Sequence, residues 1–306
     1  MNFTEDLNHT TNQEFYCTTG LNKLHLKIII STLNVFLSIT AFLGNLLITV
    51  ALQKVSSLHP PSKLLLRCLT STDLCVGLIT QPLYVILILS PEHTQRCFYV
   101  GTILNFMGVI FCGVSLLTLT AISVDRLLAL LLGLRYKQVV TLKRVRINIA
   151  VFWLFSTGNA VVSLHSFLIA ARIGSILLVF CATTSIFCYT KIYLTLRHNQ
   201  ATVHDHGHQS QPNGRGIPLN ISRYRKTVSS ALRVLITLVA CYFPTGILVP
   251  LFSITGTVLS LNIAWSISLT LLFLNSTLNP FLYCWKMREM KQAVMDTIRQ
   301  LCCFWS

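Results

Sequence analysis

The sequence predicts an all-α membrane protein, a seven-transmembrane helix bundle with an amphipathic eighth helix, and three observations predict it. Of 306 residues, 53% are apolar and only 11% charged, a balance unlike that of an ordinary soluble surface. The apolar residues gather in seven blocks, each supplying the roughly 20 helical residues that cross a hydrocarbon core of about 30 Å. The cations fall between alternate blocks, as they do when Lys and Arg are retained on the cytoplasmic side of short loops.

Residues 1–26 read as an extracellular tail, with no cationic start and short apolar run to suggest a cleavable signal peptide. The tail carries glycan acceptor sequences at Asn2 and Asn8. Of the eleven cysteines only Cys17 and Cys97 fall on the oxidising side, which allows a single bridge without requiring it. The bundle covers residues 27–285, with spans at Ile28 to Leu52, Leu64 to Leu89, Phe98 to Leu132, Ile147 to Ala170, Ile173 to Leu196, Ser229 to Ile254 and Leu261 to Trp285. Only Lys23, Lys27, Arg96 and Arg172 lie on the outer side, which places the N-terminus outside the cell. The net charge of +15 is then a cytosolic face suited to anionic lipid and acidic partners, and nothing suggests a nucleic-acid domain.

Helices four and five are joined by little beyond Ala170, Ala171 and Arg172. The one long connection, residues 197–226, is rich in Gly, Pro, Asn, Gln and His with no apolar period, and reads as a flexible cytosolic loop. His204, His206 and His208 alternate within it, but no Cys or second His cluster joins them, so a solvated loop is the reading over a metal site. Residues 286–306 form a cytosolic amphipathic helix and tail: Met287, Met290, Val294, Ile298 and Leu301 fall three or four apart beside Lys286, Arg288, Lys291 and Arg299. Acylation of Cys302 and Cys303 would add a second anchor, the alternative being two unmodified thiols.

Of the nine acidic residues only Asp73 and Asp125 belong to spans. A carboxylate inside the membrane costs at least about 2.5 kcal/mol on insertion scales, so it marks a functional position by default. Asp73 sits mid-helix, whereas Asp125 lies near the cytosolic end beside Arg126. Asn45, Ser115, Asn275, Ser276 and Asn279 are at similar depth to Asp73, and Asn275 and Asn279, one turn apart, share a face. Such a carboxylate ringed by hydroxyl and amide oxygens is a seat for a sodium ion or a proton, or else a purely structural network. Pro82, Pro244 and Pro280 each free a carbonyl and bend a helix.

Gly44-Asn45, Leu69 to Asp73, Asp125-Arg126-Leu127, Trp153, Cys241-Tyr242-Phe243-Pro244 and Asn279-Pro280-Phe281-Leu282-Tyr283 stand in order on the corresponding helices. Together they resemble the rhodopsin-like (class A) G-protein-coupled receptors over nearly the whole chain. The resemblance implies a plasma-membrane receptor coupled to a heterotrimeric G protein, and no enzyme. It implies that Asp73, Ser115, Asn275, Ser276 and Asn279 form a sodium pocket with the ion as allosteric modulator. It also implies that Arg126 contacts the G protein once released from Asp125, with Tyr189 and Tyr283 stabilising the open state and Tyr242, Pro244 and Pro280 belonging to the switch. Leu127, Tyr242 and Cys181 replace residues usual in the family, and Tyr224, Arg225 and Lys226 at the foot of helix six lack the acid that often restrains the arginine. A weakly restrained resting state is expected.

The short connection after helix four resembles the melanocortin-like branch, within the group that also holds adenosine, cannabinoid and lysophospholipid receptors. Its lack of cysteine means that the family's usual bridge from helix three cannot form. Gly108 stands where amine receptors have an aspartate and Phe273 where opsins have a lysine, while Asn105, Gly101 and Leu83 replace the acids expected for a basic melanocortin peptide. The implied ligand, whether small molecule, lipid or peptide, meets a largely uncharged pocket of Gln81, Asn105, Val109, Cys112, Tyr242, Thr245 and Leu269, which suits an apolar or lipid-like molecule. A homologue impaired in signalling is the main alternative. A cation transporter is a distant one, since only one acid lies mid-membrane and no inverted repeat is evident.

Overall fold

The computed structural model describes residues 24–56, 58–91, 94–207, 240–248, 251, 259–286 and 288–305. Asn2, Asn8, Cys17, the 208–226 part of the long connection and most of the sixth predicted span lie outside them. The main helices are α1 (Leu24–Lys54), α2 (Pro60–Leu89), α3 (Gln95–Leu132), α4 (Leu142–His165), α5 (Phe167–Gly207), α6 (240–248), α7 (Leu259–Lys286) and α8 (Arg288–Trp305). Among the described residues six helices are long and apolar enough to cross a membrane, and no strand occurs.

Local chemistry sets the ends. Pro60 and Pro61 open α2, where a missing N–H costs nothing. The Thr94 hydroxyl caps α3 by accepting from Cys97 N at 3.2 Å, and Thr141 caps α4. Gly133, with φ 49°, stops α3 in a conformation that favours glycine. Within α2, a π turn at Val76–Thr80 precedes Pro82, whose ring excludes the carbonyl four residues back. At that turn α1 and α2 approach closely: a Cβ on Gly77 would lie 2.8 Å from Phe42 N, and the Ser38 hydroxyl donates to Gly77 O at 2.6 Å.

Helix α3 is the axis of the bundle and packs on α2, α4 and α5, while α1 packs on α2, α7 and α8. One apolar cluster, including Leu52, Leu69, Leu119, Tyr283 and Met290, fills the half nearer α8. A second, with Val76, Tyr84, Ile88, Phe111 and Phe273, fills the opposite half. Large apolar side chains such as Phe36 and Ile176 remain 67% and 71% exposed on the outside, as expected of a surface facing lipid rather than water.

The structure differs from the sequence reading in three places. The α4–α5 junction is the single residue Ser166, with φ −150° and ψ 106°, and Ala170, Ala171 and Arg172 lie inside α5; these are helix formers with no Gly or Pro to stop them. Helix α5 continues to Gly207, so the first part of the predicted loop is helical. Helix α8 runs through Cys302 and Cys303, beyond the apolar spacing that ends at Leu301. Its buried stripe is Met290, Ala293 and Thr297, with Ile298 exposed. The rotation toward α1 follows from Lys54, whose ammonium donates to Thr297 Oγ1 at 3.0 Å and Gln300 Oε1 at 2.7 Å.

Candidate functional site

Asp73 is fully buried where α2, α3 and α7 meet. Its Oδ1 accepts from the hydroxyls of Ser115 at 3.2 Å and Ser276 at 2.8 Å, and its Oδ2 accepts from Asn279 Nδ2 at 2.6 Å. Three donors thus replace the water that a carboxylate loses on burial. Asn45 does not reach the carboxylate: its Nδ2 donates to Ala41 O at 2.8 Å and Ser276 O at 3.0 Å. The second bond has a covalent cause. Pro280 has no N–H to offer the carbonyl four residues back, which is Ser276 O, and the Asn45 amide takes the place of that donor. Asn275 is buried, but its Nδ2 has no hydrogen-bond partner among the described residues, so the shared aim expected of Asn275 and Asn279 is met by Asn279 alone.

At the end of the bundle nearer α8, Asp125 is held by hydroxyls. Its Oδ2 accepts from Ser62 Oγ at 2.9 Å, and its Oδ1 accepts from Tyr136 OH at 2.6 Å. The Arg126 guanidinium is 3.6 Å from Asp125 Oδ2, an ion pair too long for a hydrogen bond. The Tyr136 ring lies 5.1 Å from His59, which steadies it from the α1–α2 connection. Sequence reasoning missed Ser62 and Tyr136, because neither a serine at a span's edge nor a tyrosine in a connecting turn carries a pattern. Tyr189 is buried, and its hydroxyl accepts from Ser123 Oγ at 3.1 Å. Tyr242 and Tyr283 are buried in the same apolar cluster, and Pro244 is half-buried on α6.

In the other half of the bundle a cavity of about 250 Å³ opens between α2, α3, α4, α5, α6 and α7. Asn105, Val109, Cys112, Tyr242, Thr245 and Leu269, named above as candidate ligand contacts, line it. Gln81 does not: it is fully buried elsewhere, and neither amide atom has a partner among the described residues. The π turn supplies the reason, since one extra residue rotates the following faces by about 100° and turns Thr80 rather than Gln81 toward the cavity. The lining also includes a stripe on α4, Ser156, Asn159 and Ser163, that the sequence reading did not single out although its spacing of three and four marks one helical face. No Asp, Glu, Lys or Arg lines the cavity among the described residues.

The sequence model of the 7 transmembrane receptor (rhodopsin family) matches residues 44–172 and 165–283. The chain is also similar to Adenosine receptor A3 of Ovis aries, 24% identical over 299 residues that cover 86% of this chain and 87% of the relative. The family match takes in the Asp73 cluster, the Asp125–Arg126 pair and the cavity alike, and the chain belongs to the rhodopsin family of seven-transmembrane receptors.

Proposed function

We propose that this multi-pass protein is a plasma-membrane receptor, N-terminus outside, that passes the binding of an uncharged, largely apolar ligand to a cytosolic heterotrimeric G protein. The observation that carries the ligand class is the cavity, which has no charged side chain among its described lining residues. An ionised ligand would lose its hydration there without gaining a counter-ion. The Asp73 cluster lies below the cavity floor, where it ties α2, α3 and α7 together. A ligand that displaces Tyr242 on α6 changes the packing above those bonds, and the bundle has two arrangements whose balance the ligand biases. Arg126, paired with Asp125 only at 3.6 Å, is the group that meets the G protein.

The donor set at Asp73 fits a hard cation: a carboxylate and two hydroxyls, with Asn279 Nδ2 steadying the second carboxylate oxygen. Asp73, Ser115 and Ser276 would hold a sodium ion there, whose charge would neutralise the carboxylate while the hydroxyls turn their lone pairs inward.

The similarity to Adenosine receptor A3 supports a second reading of the ligand, an uncharged nucleoside. Guanine-nucleotide exchange on a purified G protein, with the full chain in lipid nanodiscs, tests the receptor reading. Exchange above that of Arg126→Ala is expected, and equality of the two leaves a non-signalling homologue. Adenosine, added in the same assay, separates the two ligand readings by whether it changes the rate.

A further inference from the structure

The α4 wall of the cavity contains two buried polar atoms to which the described residues give no partner. Ser156 is 2% exposed, yet its Oγ has no hydrogen-bond partner among the described residues. One turn further on the same face, Asn159 Nδ2 donates to Ala170 O at 3.3 Å, which fixes the amide with Oδ1 turned away, and that oxygen is likewise without a partner among the described residues. The next turn closes the set: Ser163 Oγ accepts from Asn105 Nδ2 at 3.0 Å and donates to Ala160 O at 2.7 Å. Buried polar atoms are normally paired, and a pair left open beside a cavity marks where a ligand supplies the partners.

The facing helix packs closely on the first of these atoms. Gly113 on α3 lies opposite, and a Cβ there would stand 2.8 Å from Ser156 Oγ. The hydroxyl therefore lies close against the α3 backbone, and a single added carbon would displace it. Ser156 can donate or accept, whereas Asn159 Oδ1 can only accept. A head group that satisfies both must carry at least one donor and, where Ser156 donates, one acceptor. It must also be neutral, because no charged side chain lines the cavity among the described residues. Thr80 Oγ1 on α2 is a further open atom of the lining, but it is one hydroxyl and has no second open group a turn away. Around the α4 pair, Val109, Leu177, Leu178 and Leu269 provide apolar wall.

Resting on the reading of this cavity as the ligand site, we propose that Ser156 and Asn159 seat a neutral carboxamide or hydroxyl head group carried on an apolar body. The pair selects for the head, and the rest of the cavity takes the body by burial of apolar surface.

The test uses the full chain in nanodiscs of uncharged lipid at neutral pH and four probes of equal chain length: octanamide, octyl acetate, octanoate and octylammonium. Each is titrated against the thermal unfolding midpoint. Octanamide is expected to half-saturate its effect at a concentration at least about tenfold below the other three, the discrimination expected of a site with open polar partners. Ser156→Ala and Asn159→Ala are each expected to erase that preference. Gly113→Ala is expected to erase it too, with both polar groups intact, by placing a carbon over the Ser156 hydroxyl. Should Gly113→Ala fail to fold, the two α4 variants decide alone.

The proposal is overturned if octanamide has no effect, if the four probes act at the same concentration, or if the preference survives in both Ser156→Ala and Asn159→Ala. Basal nucleotide exchange, measured in the same preparation against Arg126→Ala, separates the two levels of the reading. Exchange without an octanamide preference sinks the head-group assignment and leaves the receptor standing.

Discussion

Three donors converge on the Asp73 carboxylate, and the geometry makes the charge itself replaceable only at a cost. In Asp73→Asn the two hydroxyls can still be accommodated at the amide oxygen, but the new amino group would face Asn279 Nδ2, donor against donor. A loss of about 1–3 kcal/mol is expected, together with loss of any difference between sodium and N-methylglucamine buffers in the thermal midpoint. A sodium effect that persists in this variant would remove Asp73 from the cation site. At Asp125 the restraint is made of hydroxyls, so its removal is testable without touching the ion pair. Tyr136→Phe deletes the 2.6 Å bond and Ser62→Ala the 2.9 Å bond. Each bond contributes about 1 kcal/mol, so each variant should raise basal nucleotide exchange roughly fivefold; unchanged exchange would mean that this network does not hold the resting state. At this scale the sequence revealed what is costly and hid what is cheap. An acid in the middle of an apolar block is visible because few residues survive there. Ser62 and Tyr136, polar groups at the water boundary, carry no such signal.

Helix α7 carries a defect that another helix repairs, and that repair can be measured. Pro280 leaves Ser276 O without its helical donor, and Asn45 Nδ2 on α1 supplies one at 3.0 Å. Asn45→Ala should therefore destabilise the bundle by about 1–3 kcal/mol through the orphaned carbonyl. Pro280→Ala restores a main-chain N–H at that position, so the double variant should be less destabilised than the sum of the two single ones. Thermal midpoints of the four chains form a double-mutant cycle, and strict additivity would show that the two residues do not serve the same carbonyl. The same reasoning explains which elements were legible. Spans announce themselves by length and apolarity, and the prolines announce bends. The π turn at Val76–Thr80 does not: its extra residue has no composition of its own, and it alone put Gln81 out of the cavity and Thr80 into it. The Ser166 break was likewise missed, because one extended residue is enough to end a helix and the sequence around it is helix-forming on both sides.

For the whole molecule, the cation pattern and the packing point to the same division of labour between the two ends. The cavity has no charged side chain among its described lining residues and its half of the bundle carries few cations, Lys27, Arg96 and Arg172 among them, whereas the opposite end gathers Lys54, Lys63, Arg126, Arg135, Lys137, Lys143 and Arg144 around the connections between α1 and α2 and between α3 and α4. Under the proposed N-outside orientation this basic end would face the cytosol. One residue there is out of character. Leu134, in the turn Gly133–Arg135 beside Arg135, is 98% exposed. It lies past the end of α3, and a large side chain held out beside Arg135 has no packing role among the described residues. Under the proposed G-protein coupling it would serve as an anchor for an acidic, partly apolar protein surface, since burying a leucine contributes about 1.5–3 kcal/mol and interface energy concentrates in few side chains. Leu134→Asp should then lower G-protein activation by at least about tenfold, while the thermal midpoint stays within about 0.5 kcal/mol of the parent because the folded chain loses no contact. Coupling that survives the substitution would move the G-protein contact away from this turn and leave Arg126 to be reached from the α5 and α6 side.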